Sequence, residues 1–551
     1  MGAWGFMVCL LAFPSSMKPR VNPDFCLGLT FPDAYISLTP IVHKSGLIRL
    51  RLPAGKQVIR SIAACLLSVA TILGGSSVWA QNAAMIEAGN QELRDDVQWL
   101  VDRGVIGYVS TSTWPIPVSV LETALDVRKR NDLTRADVHA ILAVRRYLDD
   151  QKNSNFGFTA QINTDSMPQL GFSSQSRGAA IGGAYLQGGN DVLAGKLQVN
   201  GIIDPLTSKQ AKANLEGSYV SAQLLGQALY VGQLAHYWGP GVDGSLNWGN
   251  AGTAIPGVGL QRAKQTAPET KWLSWIGPWG YDFFLGQLQH DKSVPNARVI
   301  NMRVFVQPLK GLELGASRFI EWGGSGRNNG WGALWNALKG NSNDQGPGKD
   351  PSNELSGFDL RYTFGLMGNP ITLYGQLAGE DEAGGLPSHY LAQVGLQFKH
   401  MVGATRLQWH AEAADTTASR IFGLRDGMVG TAYAHGTYKD GLYHDGLPIG
   451  HPIGGSGRML SAGVVLVPDD FRYFSRYGLR LVQAQVNSAN QAINEIFPRE
   501  ARWYGAELSY SWRIRPATFR AGVSVLRRSS GNVDNGFSLM LSMNVPLNGL
   551  R

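Results

Sequence analysis

Three glycine-rich stretches hold the residue types that could grip a sugar. One runs Tyr237-Trp238-Gly239-Pro240-Gly241-Val242-Asp243-Gly244-Ser245 and on through Trp248. A second runs Glu321-Trp322-Gly323-Gly324-Ser325-Gly326-Arg327-Asn328-Asn329, with Trp331 and Trp335 close behind. The third is Gly379-Glu380-Asp381-Glu382-Ala383-Gly384-Gly385-Leu386-Pro387. A flat indole stacks on the C–H face of a sugar ring, while carboxylates, amides and guanidinium groups take its hydroxyls. Trp238, Asp243, Trp322, Arg327, Asn328, Glu380, Asp381 and Glu382 are therefore the candidate binding residues. The alternative for the tryptophans is structural, and Trp272, Trp275 and Trp279 read as an interfacial aromatic girdle. Glu380, Asp381 and Glu382 could also supply paired carboxylates for glycoside cleavage or oxygens for calcium. Consecutive acids on a glycine-rich loop are more often simply solvated, and no catalysis is expected. His435, His444 and His451 share a connection without compact metal spacing, and no nucleophile elbow, phosphate loop or nucleotide fingerprint occurs. Neither a cofactor nor a metal is expected.

The elements that must position these stretches show a two-residue period. Phe537, Leu539, Leu541, Met543 and Val545 alternate with Ser538, Ser542 and Asn544, and Leu407, Trp409 and Ala411 alternate with Gln408, His410 and Glu412. Side chains on a strand point to opposite faces in turn, so each segment has one apolar and one polar face. Eighteen such segments fit between residues 157 and 546. That many two-faced strands in one run fit a closed, antiparallel transmembrane β-barrel of the outer-membrane type. If the chain enters from the periplasm, the long connections 237–256, 321–355, 380–388 and 414–458 fall outside. Gly365–Asn369, His400–Ala404 and Arg513–Pro516 then form short inner turns, although 265–278 and 468–478 are long for that side. No stretch downstream of Ala80 has the roughly 20 apolar residues of a spanning helix.

Upstream lies different material. Residues 61–75 are apolar, follow Arg49, Arg51, Lys56 and Arg60, and lead to Val78-Trp79-Ala80, which reads as a signal peptide over 56–80 cleaved after Ala80. Residues 1–55 read as an untranslated upstream extension or an unusually long leader. Ile62-Ala63-Ala64-Cys65 is similar to a lipoprotein box, but Arg60 stands where an apolar core should precede it, so no lipid anchor is expected. All three cysteines precede Ala80, which leaves no disulfide or thiolate site in the mature chain. Without residues 1–80 the charged residues fall from 49 basic and 41 acidic to 42 and 39, a net +3, which does not argue for nucleic acid. Residues 81–152 read as three helices: 90–103 stopped by Gly104, 118–130, and one capped at Thr134 with Asp137. About 70 residues in short helices are marginal alone, so this periplasmic part should pack against the inner mouth of the barrel, which occupies 153–551.

Four stretches together resemble the Wzi family of outer-membrane capsule assembly proteins. They are Asp102-Arg103-Gly104-Val105-Ile106 with Thr113-Trp114-Pro115; Trp238-Gly239-Pro240-Gly241 with Asp243-Gly244-Ser245; Glu321-Trp322-Gly323-Gly324 with Gly326-Arg327; and Gly379-Glu380-Asp381-Glu382-Ala383-Gly384-Gly385. The resemblance covers residues 90–546. It implies an eighteen-stranded barrel with a small periplasmic helical part, acting as a lectin that helps attach capsular or extracellular polysaccharide at the cell surface. Outer-membrane lipid and the barrel assembly machinery are the other expected partners, although the end, Val545-Pro546-Leu547-Asn548-Gly549-Leu550-Arg551, lacks the terminal aromatic common in such barrels. The alternative is a sugar porin, since an eighteen-stranded barrel is wide enough to conduct. Bulky or paired inward residues such as Arg406, Gln408, His410 and Glu412 favour a blocked lumen.

Overall fold

The computed structural model describes residues 29–31, 34–36 and 82–548, apart from 127–132, 165–170, 174–176, 290–291, 340–351, 380–381, 384–385, 388, 421–426 and 532–534. It divides into two compact units, 1–64 and 65–551. Within the first, Leu29–Phe31 pairs antiparallel with Ala34–Ile36. The signal peptide read over 56–80, most of the leader, and the acids Glu380 and Asp381 lie outside the described residues.

The second unit is a closed antiparallel barrel of eighteen strands. In chain order these are β1 Ser154–Asn163, β2 Gly178–Gly189, β3 Leu193–Pro205, β4 Tyr219–Leu224, β5 Gln227–Gly232, β6 Gly257–Arg262, β7 Trp279–Gln287, β8 Arg298–Leu309 and β9 Leu312–Trp322. They continue with β10 Ser352–Leu366, β11 Asn369–Gly379, β12 Tyr390–Val402, β13 Thr405–Ser419, β14 Arg458–Val467, β15 Arg476–Val486, β16 Ala501–Ile514, β17 Ala517–Gly531 and β18 Gly536–Asn548. Each strand pairs with the next, and β18 closes on β1 from Met540↔Asn163 to Leu547↔Phe156. Closure leaves no unpaired edge, which the bilayer would penalise.

The burial pattern is inverted relative to a soluble protein. Phe537 is 56% exposed and its neighbour Ser538 only 5%, because the apolar face looks outward to lipid and the polar face inward. The connections sort as the alternation requires. At one end Leu225-Gly226, Lys310-Gly311, Met367-Gly368, Gly403-Ala404 and Arg515-Pro516 join strands in two residues. Leu225 and Gly226 have φ of 52° and 75°, and Met367 and Gly368 have 51° and 80°. Two successive positive φ angles twist a hairpin with the hand of its strands, and glycine in the second place lowers the cost. The same end carries two longer connections, 263–278 and 468–475, while most connections of the opposite end are long, including 233–256, 323–351 and 420–457. Short turns mark the periplasmic end and long loops the outer one.

Among the described residues three helices precede β1: α1 Gln91–Asp102, α2 Val118–Asp126 and α3 Arg135–Asn153. Asn90 caps α1 through its side chain and Gly104, at φ 64°, follows its end. Thr134 and Asp137 form the reciprocal capping box of α3. A fourth helix, α4 Trp331–Lys339, interrupts the connection between β9 and β10.

Candidate functional site

Two insertions enter the lumen, one from each end. From the periplasmic end comes α1, whose carboxylates meet inward-facing cations of the wall. Asp96 accepts from Arg406 at 2.5 Å and also from Arg476, and Asp102 accepts from Arg361 at 2.5 Å and Lys399 at 2.6 Å. Burial alone would push the Asp102 carboxyl up; Arg361 and Lys399 more than reverse this and hold it below the ordinary carboxylate range. The segment after α1 continues the seal, with Tyr108 and Ser110 donating to Glu313 at 2.5 and 2.9 Å, and Arg303 donating to Thr113 at 2.8 Å while pairing with Asp359.

From the outer end the connection 233–256 dips inward. Its amides and carbonyls are satisfied by inward side chains: Val242 N–H donates to Glu412 at 2.7 Å, Leu246 N–H to Gln376 at 2.8 Å, and Gln393 to the Gly244 carbonyl at 3.0 Å. Irregular backbone survives at membrane depth only with such partners. Close approach dictates glycine here, since a Cβ at Gly244 would lie 2.2 Å from His451. His236 is buried, which pushes its imidazole down to about 3. The neutral ring accepts from Tyr230 at Nε2, 2.7 Å, and donates from Nδ1 to the Leu234 carbonyl at 2.9 Å. The two insertions meet in mid-lumen, where Thr113–Trp114 pairs antiparallel with Tyr237–Trp238. A third layer, from the connection 420–457, lies above them, with Tyr433 donating to the Leu246 carbonyl at 2.6 Å and Tyr438 to that of Gly323 at 3.1 Å.

This arrangement buries three of the residues expected to meet a sugar. Trp238 is 1% exposed; it donates to Asp282 at 3.1 Å and packs its ring 4.8 Å from Trp248. Asp243 is equally buried, accepting from Arg480 at 2.8 Å and His410 at 2.9 Å. Burial raises its carboxyl, and His410 and Arg480 outweigh the effect, holding it far below the ordinary value. Trp322, 5% exposed, lies against Ile300, Ile320 and Ala337 under the Arg298 guanidinium, 5.2 Å from the ring centroid. All three are buried against neighbouring side chains, and none stands at the outer surface. Glu382 pairs through its backbone with Pro387 in a two-residue ladder.

Arg327 and Asn328 do stand at the outer surface, half-buried and exposed respectively. The Arg327 guanidinium lies over Tyr438 at 5.9 Å. Two residues beyond Tyr438, Asp440 pairs with Lys209 at 3.3 Å, and Lys209 also pairs with Glu495 at 3.3 Å. Burial works against the Lys209 ammonium, and Asp440 and Glu495 prevail and raise its pKa. Segments far apart in sequence thus build one polar patch of alternating charge on the outer cap. Among the described residues no group of three or more His, Cys, Asp or Glu is arranged to hold a metal.

A family model described as capsule assembly protein Wzi matches residues 146–539. The chain belongs to the Wzi family. It is 34% identical over 466 residues to a Klebsiella pneumoniae protein described as an uncharacterized 55.8 kDa protein in the cps region, covering 84% of this chain and 89% of that one. The solved structure of Wzi from Escherichia coli, described as a carbohydrate-binding β-barrel of the outer membrane involved in group 1 capsule assembly, superposes with a TM-score of 0.76 at 31% identity. That match covers 84% of this chain and all of the other.

Within this Wzi-family barrel, Arg406, His410 and Glu412 face the interior as their parity implied, each bound to an insertion. Lys209, Tyr438, Asp440 and Glu495 escaped the sequence reading. The one available signal was topological, since they fall in connections that follow odd-numbered strands and so share the outer end.

Proposed function

We propose that this chain is a lectin-like anchor of the outer membrane that binds capsular or extracellular polysaccharide on its outer cap and catalyses nothing. The observation that carries this reading is the double seal of the lumen, α1 from one side and 233–256 from the other, joined by the Thr113–Trp114 and Tyr237–Trp238 ladder. A barrel plugged from both ends presents a surface rather than a passage, which argues against the sugar porin. Family membership, and the carbohydrate binding ascribed to Escherichia coli Wzi, support the ligand class. We assign the contacts to Arg327 and Asn328, together with Lys209, Asp440 and Glu495, and to the acidic stretch Glu380, Asp381 and Glu382. Alternating charge and hydroxyl-binding groups suit an acidic or neutral glycan. A signal peptide at 56–80 delivers the chain across the inner membrane, the assembly machinery inserts the barrel, and residues 81–152 serve as the periplasmic plug.

The test is retention of polysaccharide on cells that express Arg327→Ala with Asn328→Ala, or Lys209→Ala. Each variant is expected to reach wild-type barrel abundance and to hold less polysaccharide. Wild-type retention in both would remove this patch from the site.

A further inference from the structure

Helix α4 lies on the wrong side of the wall for a sugar-binding loop. On β8 the odd residues Val299, Asn301 and Arg303 are buried in the lumen, while Val304 is exposed on the outer wall. Ile300 and Met302 share the parity of Val304, and Ile320 and Trp322 share that of the exposed Leu314. These four outward residues are the ones against which Leu334, Ala337 and Leu338 of α4 pack. The helix therefore clings to the outside of the barrel.

Its height follows from the strand register. Val304, Ala316 and Phe358 form one outward rung, continuous below with Leu314 and Leu360. The next rung up carries Arg318 beside Ser356, and the one above it Ile320 beside Glu354. Arg318 pairs with Glu354 and donates to the last carbonyls of α4, Leu338 at 2.9 Å and Ala337 at 3.2 Å. At the other end, Arg298, on the Trp322 rung, donates to the Asn329 carbonyl just before the helix. Nine helical residues rise about 13 Å, and the four steps from Trp322 to Arg318 span about 13 Å of strand, so α4 runs down the wall alongside β9.

The apolar band of an outer-membrane barrel is about 25 Å tall. On β10 its outward members run only from Leu366 to Phe358, eight steps of tilted strand, or about 20 Å. Above them β10 turns polar at Ser356 and Glu354, beside Arg318 and Ile320 of β9, and α4 covers that height of the wall. Its remaining face presents Trp331, 85% exposed, and Trp335, 58% exposed, one turn apart and therefore on one side. Indole rings with an apolar body and a polar N–H concentrate at the boundary between headgroups and acyl chains.

We propose that α4 is an interfacial anchor: Trp331 and Trp335 sit in the outer-leaflet lipid, extend the apolar band over β8 to β10, and fix the height of the barrel and of the cap above it. Trp335, nearer the Arg318 rung, lies deeper than Trp331. The inference rests on the outer-membrane placement of the barrel and is independent of which ligand the cap binds.

The test uses the full chain with Cys9, Cys26 and Cys65 replaced by serine, carrying Trp335→Cys or Trp331→Cys and reconstituted in phosphatidylethanolamine and phosphatidylglycerol vesicles. A nitroxide on the cysteine is read by its collisions with oxygen, which concentrates in lipid, and with a neutral nickel chelate, which stays in water. Phe358→Cys provides the lipid reference and Leu225→Cys, in a short turn, the aqueous one. The 335 label is expected near the lipid reference and the 331 label between the two. A 335 label matching Leu225→Cys would overturn the proposal, as would immobilisation of that label on adding capsular polysaccharide. As a measurement free of cysteine substitution, Trp331→Phe with Trp335→Phe should reduce the fluorescence quenched by brominated phosphatidylcholine; an unchanged quenched fraction would also overturn it.

Discussion

Substituting Asp96 by asparagine keeps the volume of α1 and removes the anion between two guanidinium groups. Asp96 is buried, bonded to Arg406 at 2.5 Å and to Arg476 beside it. Removing one partner of a buried ion pair typically costs about 3–5 kcal/mol, because the remaining charge stays desolvated. Here two cations would be left facing each other. The lower figure already corresponds to about 150-fold in the equilibrium between docked and undocked helix. Amide hydrogen exchange measures this directly, since exchange through local opening scales with the population of the open form. Residues 93–102 are expected to exchange about two orders of magnitude faster in Asp96→Asn, while the strand 537–545 keeps its parent rate. Asp126→Asn, at the exposed end of α2, controls for loss of charge alone and is expected to change neither segment. Equal protection of α1 in Asp96→Asn and parent protein would refute the claim that this ion pair holds the plug.

The double seal implies that loosening one insertion is not enough to conduct. Asp96→Asn with Asp102→Asn is expected to remain silent in planar bilayers, and stable openings should require Asp243→Asn and Glu412→Gln in addition, since these release the outer insertion from the wall. Trp238→Ala should lower the thermal unfolding temperature, through a loss of about 3–5 kcal/mol for a buried large aromatic, and should leave polysaccharide binding per folded molecule unchanged. Burial would raise the Asp137 carboxyl, but its bonds to Arg103 and Thr134 prevail and hold it below the usual range. The folded-state value being depressed, its stabilisation is complete above the unfolded value of about 3.9 and is lost as pH falls through the folded one. Exchange protection of α3 should therefore decline below about pH 4, and Asp137→Asn should flatten that dependence.

The wall was legible in the sequence because lipid imposes a rule on every second residue. Phe537 to Val545 on β18 and Arg406 to Glu412 on β13 declare their faces by parity alone, without knowledge of their neighbours. The insertions were not legible, and the reason is physical. The lumen of a barrel is polar, so a segment that fills it needs the same indoles, carboxylates and glycines as a loop that holds a sugar. Trp238 and Asp243 fit both descriptions, and nothing local separates them. The interfacial helix was hidden differently: Trp331 and Trp335 follow a polar loop, and only the register of β8 to β10 shows that their helix lies against the outer wall. A longer-range signal was nonetheless present. The strands from β10 to β15 point Arg361, Lys399, Arg406, Arg476 and Arg480 into the lumen, and cations cannot be buried there without anions. Asp359 is already taken by Arg303, and Glu412 is bound to backbone amides of 242–243 and to Tyr374. Arg480 has a strand partner in Glu507 of β16, but for Arg361, Lys399, Arg406 and Arg476 the negative charge comes from outside the strands: α1 supplies Asp96 and Asp102, and the outer insertion adds Asp243 at Arg480. An excess of inward cations along one arc of a barrel is thus a reading of its plug: it says that an acidic segment enters there, and from which end depends on whether the cations lie near the short turns, as Arg406 and Arg476 do, or deeper, as Arg480 does.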